Sequence, residues 1–191
     1  MNYYLVDTNV FFHTISSDIF SVAQLCKNKN NDMSITPTIL TELEPSFYME
    51  EEDPSSKEIH TYVSNLTGDY LKIIRLVEIS QVEGAQKEFK KIRKRYYSWI
   101  NDSNYLNHLI NNGSLSRNEI KNLKKKDLGE CELLAIAKAS KGEYWVVTND
   151  KGRVYKHPDQ NIFSEYEDDE HVTILVGLEW LEKIGHEISV T

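Results

Sequence analysis

The chain has 191 residues, 40% of them apolar, and a net charge of −8. That length suits one domain, or one domain with a sizeable insertion, and the apolar fraction is enough to bury a core. No apolar run approaches the roughly 20 residues that cross a bilayer, and Met1–Val6 leads straight into Asp7 without a signal-peptide pattern, which argues against a membrane protein and for a cytoplasmic one.

The charge is unevenly spread. Residues 84–126 hold eleven Lys or Arg against three acids, a local balance of +8, which leaves −16 on the rest. Acid clustered for a metal beside base clustered for phosphate is what a nuclease needs, although Lys-rich helices can also be plain solvated faces. The two cysteines, Cys26 and Cys131, lack CxxC spacing and lie in apolar stretches. They are expected to be reduced, buried and structural.

In chain order, five short apolar runs read as buried strands: Tyr3–Val6, Met33–Thr36, Lys72–Val77, Tyr144–Thr148 and Val172–Val176. Helices are expected between them. One follows Ser17 or Asp18 and carries Ile19, Phe20, Val22, Ala23 and Leu25. A second starts with Pro37 at its first position and Thr36 as cap. Met49–Ser56 is acidic, contains a proline and reads as a surface loop. Gly84–Ile100 has the apolar spacing of an amphipathic helix, through Ala85, Phe89, Ile92, Tyr96, Trp99 and Ile100. Asn101–Lys126 reads as a basic insertion of two helices joined near Gly113, with Ser116 and Glu119 as a capping box. Gly129–Ser140 is a rich helical run, and Leu178–Ile184 is the last helix. Strands alternating with helices predict a mostly parallel sheet covered on both sides.

Functional groups of such a sheet collect at the carboxyl ends of its strands. Acids stand near four such ends: Asp7 after the first strand, Glu42 and Glu44 after the second, Asp127, Glu130 and Glu132 at the start of the Gly129–Ser140 helix, and Asp150 after Tyr144–Thr148. Packed carboxylates repel unless a cation sits among them. Mg²⁺ and Mn²⁺ prefer such oxygens and can activate water for phosphodiester hydrolysis. The six histidines are scattered and suggest no zinc site; His13 and His108 receive no role.

Four blocks in order resemble the PIN-domain nucleases: LVDTNVFF (5–12), ITPTILTEL (35–43), GECELLAIAKA (129–139) and VVTND (146–150). The resemblance covers most of the chain but not the insertion around 101–126. It implies a single PIN-like domain over 1–191, an α/β/α sandwich, and a Mg²⁺- or Mn²⁺-dependent endoribonuclease acting on RNA. Such proteins are often the toxin of a toxin–antitoxin pair, so an antitoxin partner is implied; a homodimer is a second assembly left open. Carried over, Asp7, Glu42 and Asp150 take metal-binding or water-orienting roles. The third acid is Glu132 if the alanine run is aligned and Glu130 if the alignment shifts by two, and flap-endonuclease-like relatives use two acids at this spacing. Asp127 and Glu130 also fit a capping box, which would make them structural.

Asn9 is expected to orient Asp7 or to cap a helix, and Thr148 to meet a metal-bound water or simply to end its strand. Glu44, before Pro45, is expected in solvent, and Glu167–Glu170 in a solvated loop. Lys90, Lys91, Arg93, Lys94 and Arg95, alternating with aromatic and aliphatic residues, and Lys124, Lys125 and Lys126 are the expected phosphate contacts. Two rival functions are a catalytically inactive PIN-like module that binds RNA or protein, and a small-molecule phosphohydrolase. The second lacks its usual DxD, since Asp7-Thr8-Asn9 has no second Asp.

Overall fold

The computed structural model describes residues 1–44, 54–68, 71–116, 119–150 and 162–186. Five strands, β1 (Tyr3–Val6), β2 (Asp32–Ile35), β3 (Arg75–Leu76), β4 (Tyr144–Val147) and β5 (Thr173–Leu175), form one all-parallel sheet in the order β3-β2-β1-β4-β5. The chain steps outward from β1 to β2 and β3, then returns to the other side of β1 with β4 and β5. Parallel strands on both flanks bury β1, and Leu5, Val6, Val146 and Val147 of the central pair are fully covered. The order reverses between β1 and β4, so a crevice opens there at the carboxyl edge of the sheet.

The helices are α1 (Thr8–His13), α2 (Ile19–Asn28), α3 (Pro37–Glu42), α4 (Pro54–Thr67), α5 (Ala85–Tyr96), α6 (Ser103–Asn111), α7 (Leu128–Ala139) and α8 (Gly177–Ile184). They flank the sheet in two groups, α2 packing on β2 and α8, and α7 packing on β4, α3 and α5. Helix α7 is buried on nearly every side, with Leu133, Leu134, Ala135, Ile136 and Ala137 all enclosed, which accounts for its unbroken apolar run. Pro37 opens α3 as expected, and the Thr36 hydroxyl accepts from the Ile39 N–H at 3.2 Å. No described helix is long and apolar enough to cross a membrane.

Several boundaries differ from expectation for identifiable reasons. β3 is two residues long rather than six: Lys72 takes a left-handed backbone (φ 44°) that no strand accommodates, and Leu76 on this edge is 40% exposed. Pro54–Ser56, expected in a loop, forms the first turn of α4, a helix not foreseen; 49–53 lie outside the described residues. Among its described side chains Ile59, Val63 and Leu66 are buried, too sparse a stripe to stand out among polar neighbours. α5 stops at Tyr96, and Ser98–Asn101 continues as a 3₁₀ turn in which the Trp99 indole N–H takes the Tyr96 carbonyl at 3.0 Å. The insertion holds one α-helix and a 3₁₀ segment (Glu119–Lys125) instead of two α-helices, turning at Gly113 (φ 75°). The Ser116–Glu119 box is present, with both backbone N–H groups bonded to the partner's side chain, and Trp99, Leu109, Leu115 and Leu123 form a small satellite core. Cys26 and Cys131 are free and buried.

Helix α7 approaches α3 closely because Gly129 has no side chain. A Cβ there would lie 2.5 Å from Ile39 Cδ1 and 2.7 Å from Glu42 Oε2. Gly129→Ala is expected to destabilise the protein by about 1–2 kcal/mol in urea unfolding, because crowding of roughly 1–3 kcal/mol exceeds the helix-propensity gain of about 1 kcal/mol.

Candidate active site

One residue beyond β1, the Asp7 N–H donates to the Val147 carbonyl at 2.9 Å, so the β1–β4 pairing extends to the point where Asp7 meets Thr148. Asp7 is 4% exposed. It accepts from the Thr8 N–H at 2.8 Å and from the Thr148 hydroxyl at 2.7 Å. The same hydroxyl oxygen accepts from the Asp150 N–H at 3.2 Å, which fixes the turn after β4. Asn9 completes this turn: its amide donates to Asp150 Oδ2 at 2.9 Å and its carbonyl oxygen accepts from the Asn149 N–H at 3.1 Å. Asn9 therefore orients Asp150 rather than Asp7, and Thr148 is committed to Asp7.

Glu42 ends α3 and is 7% exposed. Its carboxylate ties three helices together, accepting from the Thr8 hydroxyl of α1 and the Gly129 N–H of α7, both at 3.0 Å. Glu130, in the first turn of α7, has a buried Oε2 atom with no hydrogen-bond partner. Just before it, Asp127 adopts a left-handed backbone (φ 52°) and makes no side-chain cap, so the expected capping box is absent. Asp127 instead accepts from the Tyr97 hydroxyl at 2.9 Å and lies 3.7 Å from the Lys126 ammonium.

Asp7, Glu42, Asp127, Glu130 and Asp150 line one cleft of about 260 Å³ together with Thr8, Asn9, Phe12 and His13. Glu132 does not line it. Two residues further along α7 it is rotated by about 200° from Glu130, and its own Oε2 is buried without a partner elsewhere. Glu130 and not Glu132 is therefore the α7 acid that joins the others. Glu44 is exposed, as expected. Phe12 and His13, ring centroids 6.4 Å apart, form the rim of the cleft. Nothing in the sequence marked them, since a six-residue helix shows no useful periodicity.

The expected phosphate contacts separate into three groups. Lys90, Lys91 and Lys94 line an exposed groove along α5 with Lys87, and Arg95 lines a neighbouring one with Lys138 and Tyr166. Lys91 pairs with Glu88 at 2.6 Å. Arg93 turns inward: it donates to the Lys126 carbonyl at 2.7 Å and lies 4.0 Å over the Tyr97 ring, so it is a tie within the fold rather than a free phosphate contact. Lys124 and Lys125 are exposed, and Lys126 is half-buried beside Asp127. The acidic run 167–170 is mostly exposed, though Asp169 pairs with Lys138 at 2.6 Å.

Burial dominates the electrostatics. It pushes Asp7 up to about 7, helped by the charges of Asp150 and Asp127 and opposed by the bonds from Thr148 and Thr8. Glu42 also rises to about 7, through burial and the Asp7 charge, against the Gly129 and Thr8 bonds. Glu130 is driven well above the carboxylate range by burial and by Asp127, Asp7, Asp150 and Glu42. Among the described residues no group of three or more His, Cys, Asp or Glu side chains is placed to hold a metal ion together. A Mg²⁺ or Mn²⁺ ion that keeps several waters needs only one or two carboxylates directly. Hard oxygen donors, mutual repulsion and the orphaned Glu130 Oε2 fit such an ion.

No protein-family model matches the chain, and no curated protein matches it. Among solved structures, DNA-bound VapBC from Salmonella typhimurium is similar over 93% of this chain and 99% of that one, at 16% identity and a TM-score of 0.47. VapBC2 from Rickettsia felis, bound to a promoter DNA fragment, is similar over 91% and 98% at 15% identity and 0.45. VapBC-1 from nontypeable Haemophilus influenzae is similar over 92% and 98% at 10% identity and 0.42. Function is therefore read from the cleft itself.

The raised carboxyls carry a signed consequence for stability. In chelator, the folded protein holds protons on Asp7 and Glu42 that the unfolded chain releases near 3.8 and 4.5. Stability is then fullest below about pH 4 and falls as pH rises to about 7. Glu42→Gln, whose amide can keep the Gly129 and Thr8 contacts, is expected to flatten this slope and to gain about 1–3 kcal/mol over the parent at pH 8, taking roughly 1.4 kcal/mol per pH unit. Thermal melts at pH 4.5 and pH 8 with EDTA check it; a gain equal at both pH values would contradict the repulsion.

Proposed function

We propose that the chain is a PIN-like endoribonuclease that uses Mg²⁺ or Mn²⁺ to hydrolyse RNA phosphodiester bonds. The observation that carries this is the meeting of carboxylates, two buried (Asp7, Glu42) and the others half-buried, from four separate parts of the chain at the β1–β4 crevice, with one buried oxygen left unpaired. The ordered resemblance of the four sequence blocks supports the substrate and the metal. One or two of Asp7, Glu130 and Asp150 would hold the ion directly and the others through its waters; when bound it supplies a Lewis acid and an activated water.

The chain's own residues do the positioning. Thr148 and the Thr8 N–H fix both oxygens of Asp7, and Asn9 fixes Asp150. Glu42 accepts one bond on each oxygen and keeps a second lone pair on each. With a proton affinity near neutrality it is suited to take a proton from the attacking water. The groove along α5 and the Lys124–Lys126 segment would receive the RNA backbone. An antitoxin-type protein covering the cleft, and a homodimer, belong to the same proposal through the family resemblance.

The decisive assay is cleavage of an RNA oligonucleotide by purified protein with Mn²⁺, with EDTA, and after Asp7→Asn. Loss of an outer partner of a metal ligand typically costs 10–100-fold, so Asp7→Asn is expected to lower the rate by more than about 100-fold while circular dichroism stays unchanged. Retained RNA binding without EDTA-sensitive cleavage by the parent protein would instead identify an inactive binding module.

A further inference from the structure

We propose that Asp127 is an additional metal-site acid, aimed into the cleft by Tyr97 and Arg93, so that α5 is a positioning element for the site as well as a cationic surface. This rests on reading the cleft as a divalent-metal centre.

The usual structural role for an acid at this position is to cap α7, and Asp127 does not do so: its side chain bonds none of the free N–H groups of that helix. Its backbone is left-handed (φ 52°), which is unusual for a residue other than glycine. It lines the cleft beside Glu130, whose buried Oε2 lacks a partner. A second anion next to an unpaired one raises the repulsion there; Lys126, 3.7 Å from Asp127, offsets part of it, and a bound divalent cation would relieve both.

The contacts that hold this arrangement come from Arg93 of α5 and from Tyr97 just past its end. Tyr97 is buried and its hydroxyl donates to Asp127 Oδ2 at 2.9 Å. Arg93 stacks 4.0 Å over the same ring and donates to the Lys126 carbonyl at 2.7 Å, with a longer contact to the Lys124 carbonyl at 3.5 Å and to Cys131 Sγ at 3.8 Å. The guanidinium thus ties together the end of the basic segment, the first turns of α7 and the tyrosine that orients Asp127. The Tyr97 bond occupies one carboxylate oxygen and leaves the other near Lys126.

The test is direct Mn²⁺ binding, by isothermal titration calorimetry and by the electron paramagnetic resonance signal of free Mn²⁺. The proteins are the full-length parent, Asp7→Asn, Asp127→Asn, Tyr97→Phe and, as an acid outside the cleft, Glu88→Gln. Asparagine tolerates the left-handed backbone and can still accept from Tyr97, and phenylalanine keeps the ring that Arg93 covers. Asp127→Asn is expected to weaken Mn²⁺ binding about tenfold or more, and Tyr97→Phe about three- to tenfold. Glu88→Gln should bind as the parent does, and thermal melts in EDTA should show every variant folded. Parent-like affinity in Asp127→Asn, with Asp7→Asn still impaired, overturns the role of Asp127 and leaves the metal centre standing. A Tyr97→Phe variant that binds like the parent while Asp127→Asn is impaired overturns the positioning role. Parent protein that binds no more Mn²⁺ than Asp7→Asn overturns the metal centre and this inference together.

Discussion

Charge repulsion inside a partly dry cleft is the constraint around which this molecule is arranged. Five carboxyls line one opening, and the burial that encloses Asp7, Glu42 and Glu130 raises the cost of ionising each of them. Neutral donors carry part of that cost: a threonine hydroxyl and a backbone N–H for Asp7, and the same pair of donor types for Glu42. Such bonds hold the anions in place but do not cancel their charge. Lys126 lies 3.7 Å from Asp127 and does not line the cleft itself. The arrangement is stable because it hangs on the most deeply buried parts of the fold, the β1–β4 pair and α7.

The sheet supplies the convergence. With all strands parallel, Asp7 and the 148–150 turn emerge at the same edge, and the reversal of strand order leaves space between the connections that follow. Backbone pairing alone does not aim side chains, and Thr148 does that work. As a buried hydroxyl that gives one bond and accepts two, from the Asp150 N–H and the Asn9 amide, it locks the carboxylate of one strand to the backbone of the next turn. Asn9 closes the loop from the other side. The DTN and TND triplets are thus two halves of one hydrogen-bonded unit, and their chemistry is inseparable from their register.

This explains what was legible in the sequence. Strand periodicity and the acids after each strand pointed to the architecture and to Asp7, Glu42 and Asp150, because those residues sit at positions that a parallel sheet fixes. The choice between Glu130 and Glu132 was not legible, since both lie in a helix that is apolar all round and the alanine run says nothing about which face meets α3. The missing side chain of Gly129 decides it by letting α7 settle on Glu42, which turns Glu130 toward the cleft. Asp127 suits a cap in its sequence context, but its carboxylate makes no cap bond and meets Tyr97 and Lys126 instead. α4 escapes a reading of the sequence because Ile59, Val63 and Leu66 leave only a faint stripe among polar neighbours. Arg93 read as one cation among five, and the carbonyls that claim it lie thirty residues away.

The separation of base from acid has its own logic. α5 runs antiparallel to α7, with Gly84 near Ala139 at one end and Tyr97 bonded to Asp127 at the other. Its twelve residues span about 18 Å, roughly two screening lengths at physiological salt. Lysines at its far end therefore contribute little to the potential within the cleft. They can attract a polyanion toward the surface without neutralising the cleft carboxyls. Placing those lysines closer would pair them with the acids and quench the cation affinity that repulsion creates. Arg93, the one guanidinium of that helix held inward near Asp127, avoids this by spending its donors on backbone carbonyls, so it braces the acid's setting without forming a salt bridge to it.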